Sequence, residues 1–282
     1  MKAIKFFAAM LVGVAFLGGN TGSAQQLYWT SSGTFGPFNI QILVPTYPEA
    51  RDIMVPVNMW VLDHPKGLVV YDTGNNVAIA DGQCASHWAE GICGLLNPSQ
   101  PRDAIIDKIL ERLGYSVADV DIVIHSHSHL DHIGNIEMFP DAIHVIQDKE
   151  LYQAWWPESF QRNGVHVQAD YDDARDFRYF KMDGDYDLFG DGTVKIIFTP
   201  GHTMGHQSVQ IKLPETGSVL LTQDSIWFKE NLEGHPAGLN YSVLDYNDSL
   251  ERMKMIRDVE GVPLWYGHSI QQYEAMGERW HK

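Results

Sequence analysis

Four histidines and an aspartate crowd the stretch Ile122 to Asn135, which reads I-V-I-H-S-H-S-H-L-D-H-I-G-N. An apolar run empties into them, as a strand does when it delivers side chains to a site at its end. Histidine clusters this dense serve mainly to hold a transition metal, because neutral imidazole is a borderline ligand suited to zinc, iron, cobalt or manganese. His127 and His129 stand two residues apart, on the same side of an extended segment, so both can reach one ion. Asp131 and His132 follow at adjacent positions where the chain turns into Gly134. They point differently from the first pair and can serve a second ion. Three more candidates sit where apolar runs end: His202 in Thr199-Pro200-Gly201-His202, Asp224 after Val219 to Thr222, and His268 in Tyr266-Gly267-His268. Strand ends are the usual address of a site in an α/β protein.

The elements that must position these residues follow from periodicity. Asn39 to Val44, Ile53 to Asp63 and Leu68 to Asp72 read as antiparallel strands, the last two joined by a hairpin at His64-Pro65-Lys66-Gly67. Asp72 ends its strand beside a glycine turn, as a turn residue or as a support behind a metal ligand. Asn75 to Gln100 reads as a long loop, of the kind that forms lids or partner contacts. A helix opens at Pro101, with Ile105, Ile106, Ile109, Leu110 and Leu113 on one face, and ends at Gly114. Val117 to Ile124 then leads into the histidine cluster. Ala142 to Gln147 reads as a strand and Lys149 to Trp156 as a short helix. Gln161 to Asp187, polar and Tyr-rich, shows no clear pattern. Val194 to Thr199, Ser208 to Leu213 and Ser218 to Thr222 return to the strand pattern, Asp248 to Val259 reads as a helix, and Pro263 to Tyr266 as a last short strand. Strand-rich and helical stretches occur twice in the same order, which suggests two similar halves with helices covering stacked sheets.

Composition bounds the function. Lys2 and Lys5, the apolar segment Ile4 to Leu17 and Gly22-Ser23-Ala24 form an export signal, with cleavage expected after Ala24. The apolar run is shorter than the roughly 20 residues of a membrane span. Residues 25–282 are then a single catalytic domain, periplasmic or secreted and not held at a membrane. Two of the 20 basic side chains leave with the signal, so 18 basic face 36 acidic ones. That balance disfavours nucleic acid and other polyanions, and no basic stripe is visible. Cys84 and Cys93 suit a local disulfide in an oxidising compartment.

H-x-H-x-D-H, T-P-G-H, a lone aspartate and G-H, in that order, resemble the metallo-β-lactamase superfamily. Ser126 to Asn135, Thr199 to Ser208 and Gly267 to Gln271 are similar, more narrowly, to its N-acyl-homoserine lactonase branch. The resemblance implies an α/β fold of four layers, an αββα sandwich. It implies two divalent metal ions, zinc being the first choice with iron, cobalt and manganese open. His127, His129 and His202 would hold one ion, Asp131, His132 and His268 the other, with Asp224 bridging. His125 falls outside that register and reads as a packing histidine. The expected chemistry is lactone hydrolysis by a hydroxide shared between ions roughly 3.5 to 4 Å apart, with Asp131 the proton carrier. In the lactonases a tyrosine three residues after the bridging aspartate donates to the substrate carbonyl. Trp227 stands there in this chain, and Tyr241 is the other candidate donor. His206 is read as a support or helix-start residue. Trp155, Trp156, Phe160, Trp227 and Phe228 are candidates for an acyl-chain groove. A homodimer is also implied, with Asn75 to Gln100 as candidate interface. The competing readings are another hydrolase of the superfamily, acting on a different ester, a phosphotriester or a β-lactam, and a non-catalytic binding protein of the same fold. Loss of ligands would mark the last, and all seven are present.

Overall fold

The computed structural model describes residues 25–158 and 164–282. The expected signal, residues 1–24, and Phe160 lie outside the described residues. In chain order the elements are β1 (Gln26–Asn39), β2 (Asp52–His64), β3 (Gly67–Tyr71), α1 (Val77–Ala80), α2 (Cys84–His87), α3 (Glu90–Leu96), α4 (Ile106–Leu113), β4 (Val120–Ile124), β5 (Ile143–Gln147) and α5 (Asp148–Trp155). They continue with β6 (Arg178–Met182), β7 (Tyr186–Asp187), β8 (Val194–Phe198), β9 (Gln207–Leu213), β10 (Gly217–Gln223), α6 (Val243–Val259), β11 (Leu264–Tyr266), α7 (Ile270–Met276) and β12 (Arg279–His281).

Strand alternation sorts the side chains into layers. Trp60, Leu62, Val69 and Tyr71 face a core shared with Ile196, Val219, Leu221 and Trp265, so the two sheets pack face to face. Their alternate neighbours Met59, Val61, Leu68 and Val70 pack instead on Ile106, Ile109 and Leu110 of α4. On the opposite side Ile197, Leu220 and Leu264 pack on Leu250, Met253 and Ile256 of α6. The result is helix, sheet, sheet, helix. The first sheet runs β12-β1-β2-β3-β4-β5-β6 and the second β11-β10-β9-β8-β7. β12, from the C-terminal end, pairs with β1 through Leu27 opposite His281. The two halves are therefore interlaced at one edge.

Local structure departs from the sequence reading in three places. Asn39 to Val44 is not a strand. β1 stops at Asn39, whose side chain accepts from Gln41 N–H at 2.9 Å and draws Ile40–Ile42 into a 3₁₀ turn. The helix expected from Pro101 begins at Ile106, because buried Ile105 adopts an extended conformation (ψ 143°) that separates it from the 3₁₀ turn Arg102–Ala104. α6 starts five residues before Asp248, at the Ser242 cap, whose hydroxyl accepts from Asp245 N–H. The Asn75 to Gln100 loop is a strap of three short helices, α1 to α3, closed by a disulfide between Cys84 and Cys93.

Candidate metal centre

β3, β4, β8, β10 and β11 end at one rim of the sandwich, and the residue following each, or a few beyond it, enters a common site. β3 delivers Asp72; β4 the run His125 to His132; β8 His202; β10 Asp224; and β11 His268. Gly267 is required for the last of these, since a Cβ there would lie 2.4 Å from the Gln223 carbonyl oxygen. That approach brings His268 against Asp224.

Two groups of donor atoms result. His127, His129, His202 and Asp224 place one ligand atom each within 4.8 Å of one another, and Asp131, His132 and His268 do the same. Asp224 joins the groups. Its Oδ2 lies 3.2 Å from His202 Nε2 and 3.9 Å from His127 Nε2. Its Oδ1 lies 3.0 Å from His268 Nε2 and 3.2 Å from His132 Nε2. Asp131 Oδ2 stands 3.4 Å from His132 Nε2 and 3.8 Å from His268 Nε2. All seven residues predicted from the sequence are brought together.

The hydrogen bonds behind the rings decide what these atoms are aimed at. His202 Nδ1 donates to the Leu239 carbonyl at 2.7 Å and His268 Nδ1 to that of Pro56 at 2.8 Å. His132 Nδ1 donates to Asp72 at 2.9 Å, and His127 Nδ1 to the Ser126 hydroxyl at 2.9 Å. Each ring is thereby fixed in the tautomer that turns a bare Nε2 inward. His129 turns Nδ1 inward, 3.0 Å from His202 Nε2. His127 Nε2, His132 Nε2 and Asp224 Oδ1 are buried without a hydrogen-bond partner among the described residues. Burial and the neighbouring imidazoles of His132 and His129 hold His127 well below the ordinary histidine pKa, and burial with His166 and His202 does the same for His129. At His132 burial is outweighed by the charges of Asp131 and Asp224, which raise its pKa, so that without a cation between them a proton would stand where an ion is otherwise held. Buried lone pairs converging on carboxylates need a cation between them, and this donor set fits two divalent ions of the zinc, iron, cobalt or manganese kind.

The supports have specific contacts. Asp72, fully buried with φ 61°, accepts from Ser126 N–H at 2.7 Å, from the Ser126 hydroxyl at 2.7 Å, from His132 and from Gln223 Nε2. His206, its pKa pushed down to about 3 by burial, accepts from Asp224 N–H at 3.1 Å and donates from Nδ1 to Thr199 at 2.9 Å. It holds the Asp224 backbone and stands just before β9, not at a helix start. His125 points away from the donors and donates to His144 Nδ1 at 2.9 Å.

The family model of the Metallo-beta-lactamase superfamily matches residues 53–259. The chain belongs to that superfamily. Within it, the N-acyl homoserine lactonase AttM of Azorhizobium caulinodans is 34% identical over 251 residues, covering 86% of this chain and 92% of the relative. The N-acyl homoserine lactonase AiiA of Bacillus thuringiensis subsp. kurstaki is 29% identical over 227 residues, covering 78% and 84%. Among solved structures, an N-acyl homoserine lactone hydrolase with the product N-hexanoyl-L-homoserine at its catalytic metal centre superposes with a TM-score of 0.76 at 25% identity, over 90% of this chain and 97% of that one.

Beside the superfamily donors lies an apolar cleft of about 280 Å³. Phe35, Phe38, Leu43, Leu96, Leu130 and Leu239 line it, and Asp131, Asp224, His129, His202 and His268 form its floor. Of the aromatic groove candidates within the described residues, Trp227 alone lines this cleft. Trp155 borders other cavities, Trp156 is 61% exposed at the surface, and Phe228 is buried in the core. Phe35 and Phe38 were not singled out in the sequence, because aromatics in a strand read as core. Trp227 is 2% exposed, and its Nε1 is buried without a hydrogen-bond partner among the described residues. Tyr241 is half-buried on the cleft wall, its backbone N–H held by His202 O at 3.1 Å.

Proposed function

We propose that this chain hydrolyses the lactone ring of N-acyl homoserine lactones, using two divalent metal ions, zinc by preference. His127, His129 and His202 would hold one ion, Asp131, His132 and His268 the other, and Asp224 would bridge them. The observation that carries the reading is the division of Asp224, one oxygen facing each donor group, at the floor of an apolar cleft. Bound there, two such ions would supply Lewis acidity and a water acidified to a pKa of about 7.

The chain's own residues do the rest. Phe35, Phe38, Leu43, Leu96 and Leu239 take the acyl chain, and burial of each methylene there contributes about 0.8 kcal/mol. Leu130 and Trp227 keep bulk water from the floor. Asp131, whose side chain is 13% exposed where the donors around it are nearly closed off, would accept a proton from the attacking water and return it to the alcohol oxygen that leaves, a role its exposure supports. Tyr241, on the cleft wall, takes the hydroxyl-donor role, because Trp227 carries no hydroxyl and can donate only from its buried indole nitrogen. The chain acts outside the cytoplasm, a reading supported by residues 1–24 and by the Cys84 to Cys93 pair. It acts as a dimer through the strap, whose Leu95 is 54% exposed; light scattering at micromolar concentration tests this.

The deciding experiment loads purified protein with zinc and measures bound ions and acid release from short- and long-chain N-acyl homoserine lactones, a β-lactam and a phosphotriester. About two ions per chain and turnover of the lactones are expected. Two bound ions without lactone turnover would sink the assignment. Asp131→Asn should keep most bound metal and lose activity by on the order of 100-fold or more.

A further inference from the structure

Glu150 lies in the first turn of α5, where acidic residues ordinarily face solvent, yet it is fully buried. Its carboxylate accepts four hydrogen bonds. Oε1 takes the Ser128 N–H at 2.7 Å and the Ser128 hydroxyl at 2.6 Å. Oε2 takes the Thr203 hydroxyl at 2.6 Å and the Gly205 N–H at 3.0 Å. Ser128 is the residue between His127 and His129, and Thr203 follows His202. One carboxylate therefore ties together the two loops that carry the three histidines grouped with Asp224. The closeness is built in: a Cβ on Gly205 would lie 2.3 Å from Glu150 N. The tie extends to His129 itself. With its proton committed to Glu150, the Ser128 hydroxyl accepts from His166 Nδ1 at 3.1 Å, and the His166 ring stands edge-on to His129 with centroids 4.6 Å apart. The other donor group is held differently, His132 by Asp72 and His268 by the Pro56 carbonyl.

We propose that Glu150 is a positioning residue for one half of the site, that of His127, His129, His202 and Asp224, and sets its metal affinity separately from the half of Asp131, His132 and His268. The proposal rests on the two-metal reading above. Glu150→Gln keeps the size but turns an NH2 toward one of the two donor pairs. A serine or threonine hydroxyl can rotate and accept from it; the backbone N–H of Ser128 or Gly205 cannot, and one buried donor is left without a partner.

The test is calorimetric titration of zinc into metal-stripped full-length protein, which yields two dissociation constants. A His202→Ala protein identifies which constant belongs to the three-histidine half. Glu150→Gln should weaken that constant by about 10- to 100-fold and leave the other within about twofold. Thr203→Val removes one bond and should weaken the same constant by on the order of fivefold; it carries the test if Glu150→Gln does not fold. Cobalt loading gives an independent readout, as the visible spectrum of the three-histidine half should fade first on chelation. Equal weakening of both constants, or no change in either, would overturn the proposal while wild type still binds two ions. Wild type that binds no ions would overturn the metal reading itself.

Discussion

Asp72→Asn tests how much of the site depends on one buried carboxylate outside the donor set. Four donors converge on Asp72, and three of them, the Ser126 hydroxyl, His132 Nδ1 and Gln223 Nε2, share Oδ2. Oδ1 takes the Ser126 N–H. An asparagine offers one acceptor oxygen and one NH2 in the same space. If the NH2 faces the Oδ2 side, His132 loses the acceptor that fixes its tautomer. If it faces the Oδ1 side, the Ser126 N–H is stranded beside His127. Either way a buried donor is left unsatisfied, at a cost of about 1 to 3 kcal/mol. Burial raises the Asp72 pKa while the bonds from His132 and Ser126 act against it, so removing the charge recovers part of the desolvation cost and the lower end, about 1 to 2 kcal/mol, is expected. In a domain of this size that lowers the melting temperature by roughly 2 to 8 °C. Affinity for the ion nearest His132 should fall about 10- to 100-fold. The assay is thermal unfolding with and without zinc, metal content after dialysis, and kcat and KM on a short-chain lactone. At subsaturating zinc kcat should drop with metal content and KM should hardly move. A variant with wild-type metal affinity and kcat would refute the idea that Asp72 orients His132.

Three further outcomes are expected. Tyr241→Phe should lower kcat/KM by roughly 10-fold or more, as loss of a donor to a developing charge does, whereas Trp227→Phe, which removes a buried indole N–H but keeps an aromatic ring on the cleft, should change kcat little; the reverse order would transfer the donor role to the indole. Phe38→Ala should raise KM for a long-chain lactone by on the order of 10-fold, read from initial rates, and leave that of a short-chain one nearly unchanged, the expectation being that the added methylenes of the longer chain pack on this cleft-lining ring. His87 pairs with fully buried Asp170 at 2.6 Å, and that hydrogen bond raises its pKa above 6.5 against the pull of burial. The folded state then holds the proton more tightly than the unfolded one. Burial lifts Asp170 as well, to about 6, so both partners hold protons more tightly in the folded state and the pair's contribution to stability falls as pH rises through Asp170 and then through the raised His87 value. Hydrogen exchange of the strap should quicken from pH 6 to 8 in wild type and show no such extra step in His87→Ala.

The donors were legible in the sequence because their chemistry is rare and their spacing follows the strand period. His127 and His129 share one side of an extended segment, and His202, Asp224 and His268 each close an apolar run. The supports were not legible, for physical reasons. Glu150 sits where a first-turn glutamate is ordinarily a solvated partner of the helix dipole, and only the folded chain brings Ser128 and Thr203 to it. Phe35 and Phe38 belong to a strand whose outer residues form a cleft wall only once Leu96 of the strap and Leu239 close over them. The edge pairing of β1 with β12 joins the two ends of the described domain, and no local pattern encodes it. Asn39 shows the opposite failure. A purely local bond, from the Gln41 N–H to its side-chain oxygen, overrode an apolar run that reads as strand.

The supports also show that substrate wall and metal site are not separable modules. His202 is oriented by the carbonyl of Leu239, which itself lines the cleft, and His268 by that of Pro56, next to the cleft residue Val55. Reshaping the wall at Leu239 or Val55 by anything that shifts the backbone will therefore turn a ligand imidazole as well. Among the described residues Phe38 shares no hydrogen bond with a donor residue, which is why it is the clean position for testing chain-length preference. A change at Leu239 that altered both KM and bound metal would be expected from this coupling, whereas the same double effect at Phe38 would mean that the cleft and the donors communicate by a route other than these carbonyls.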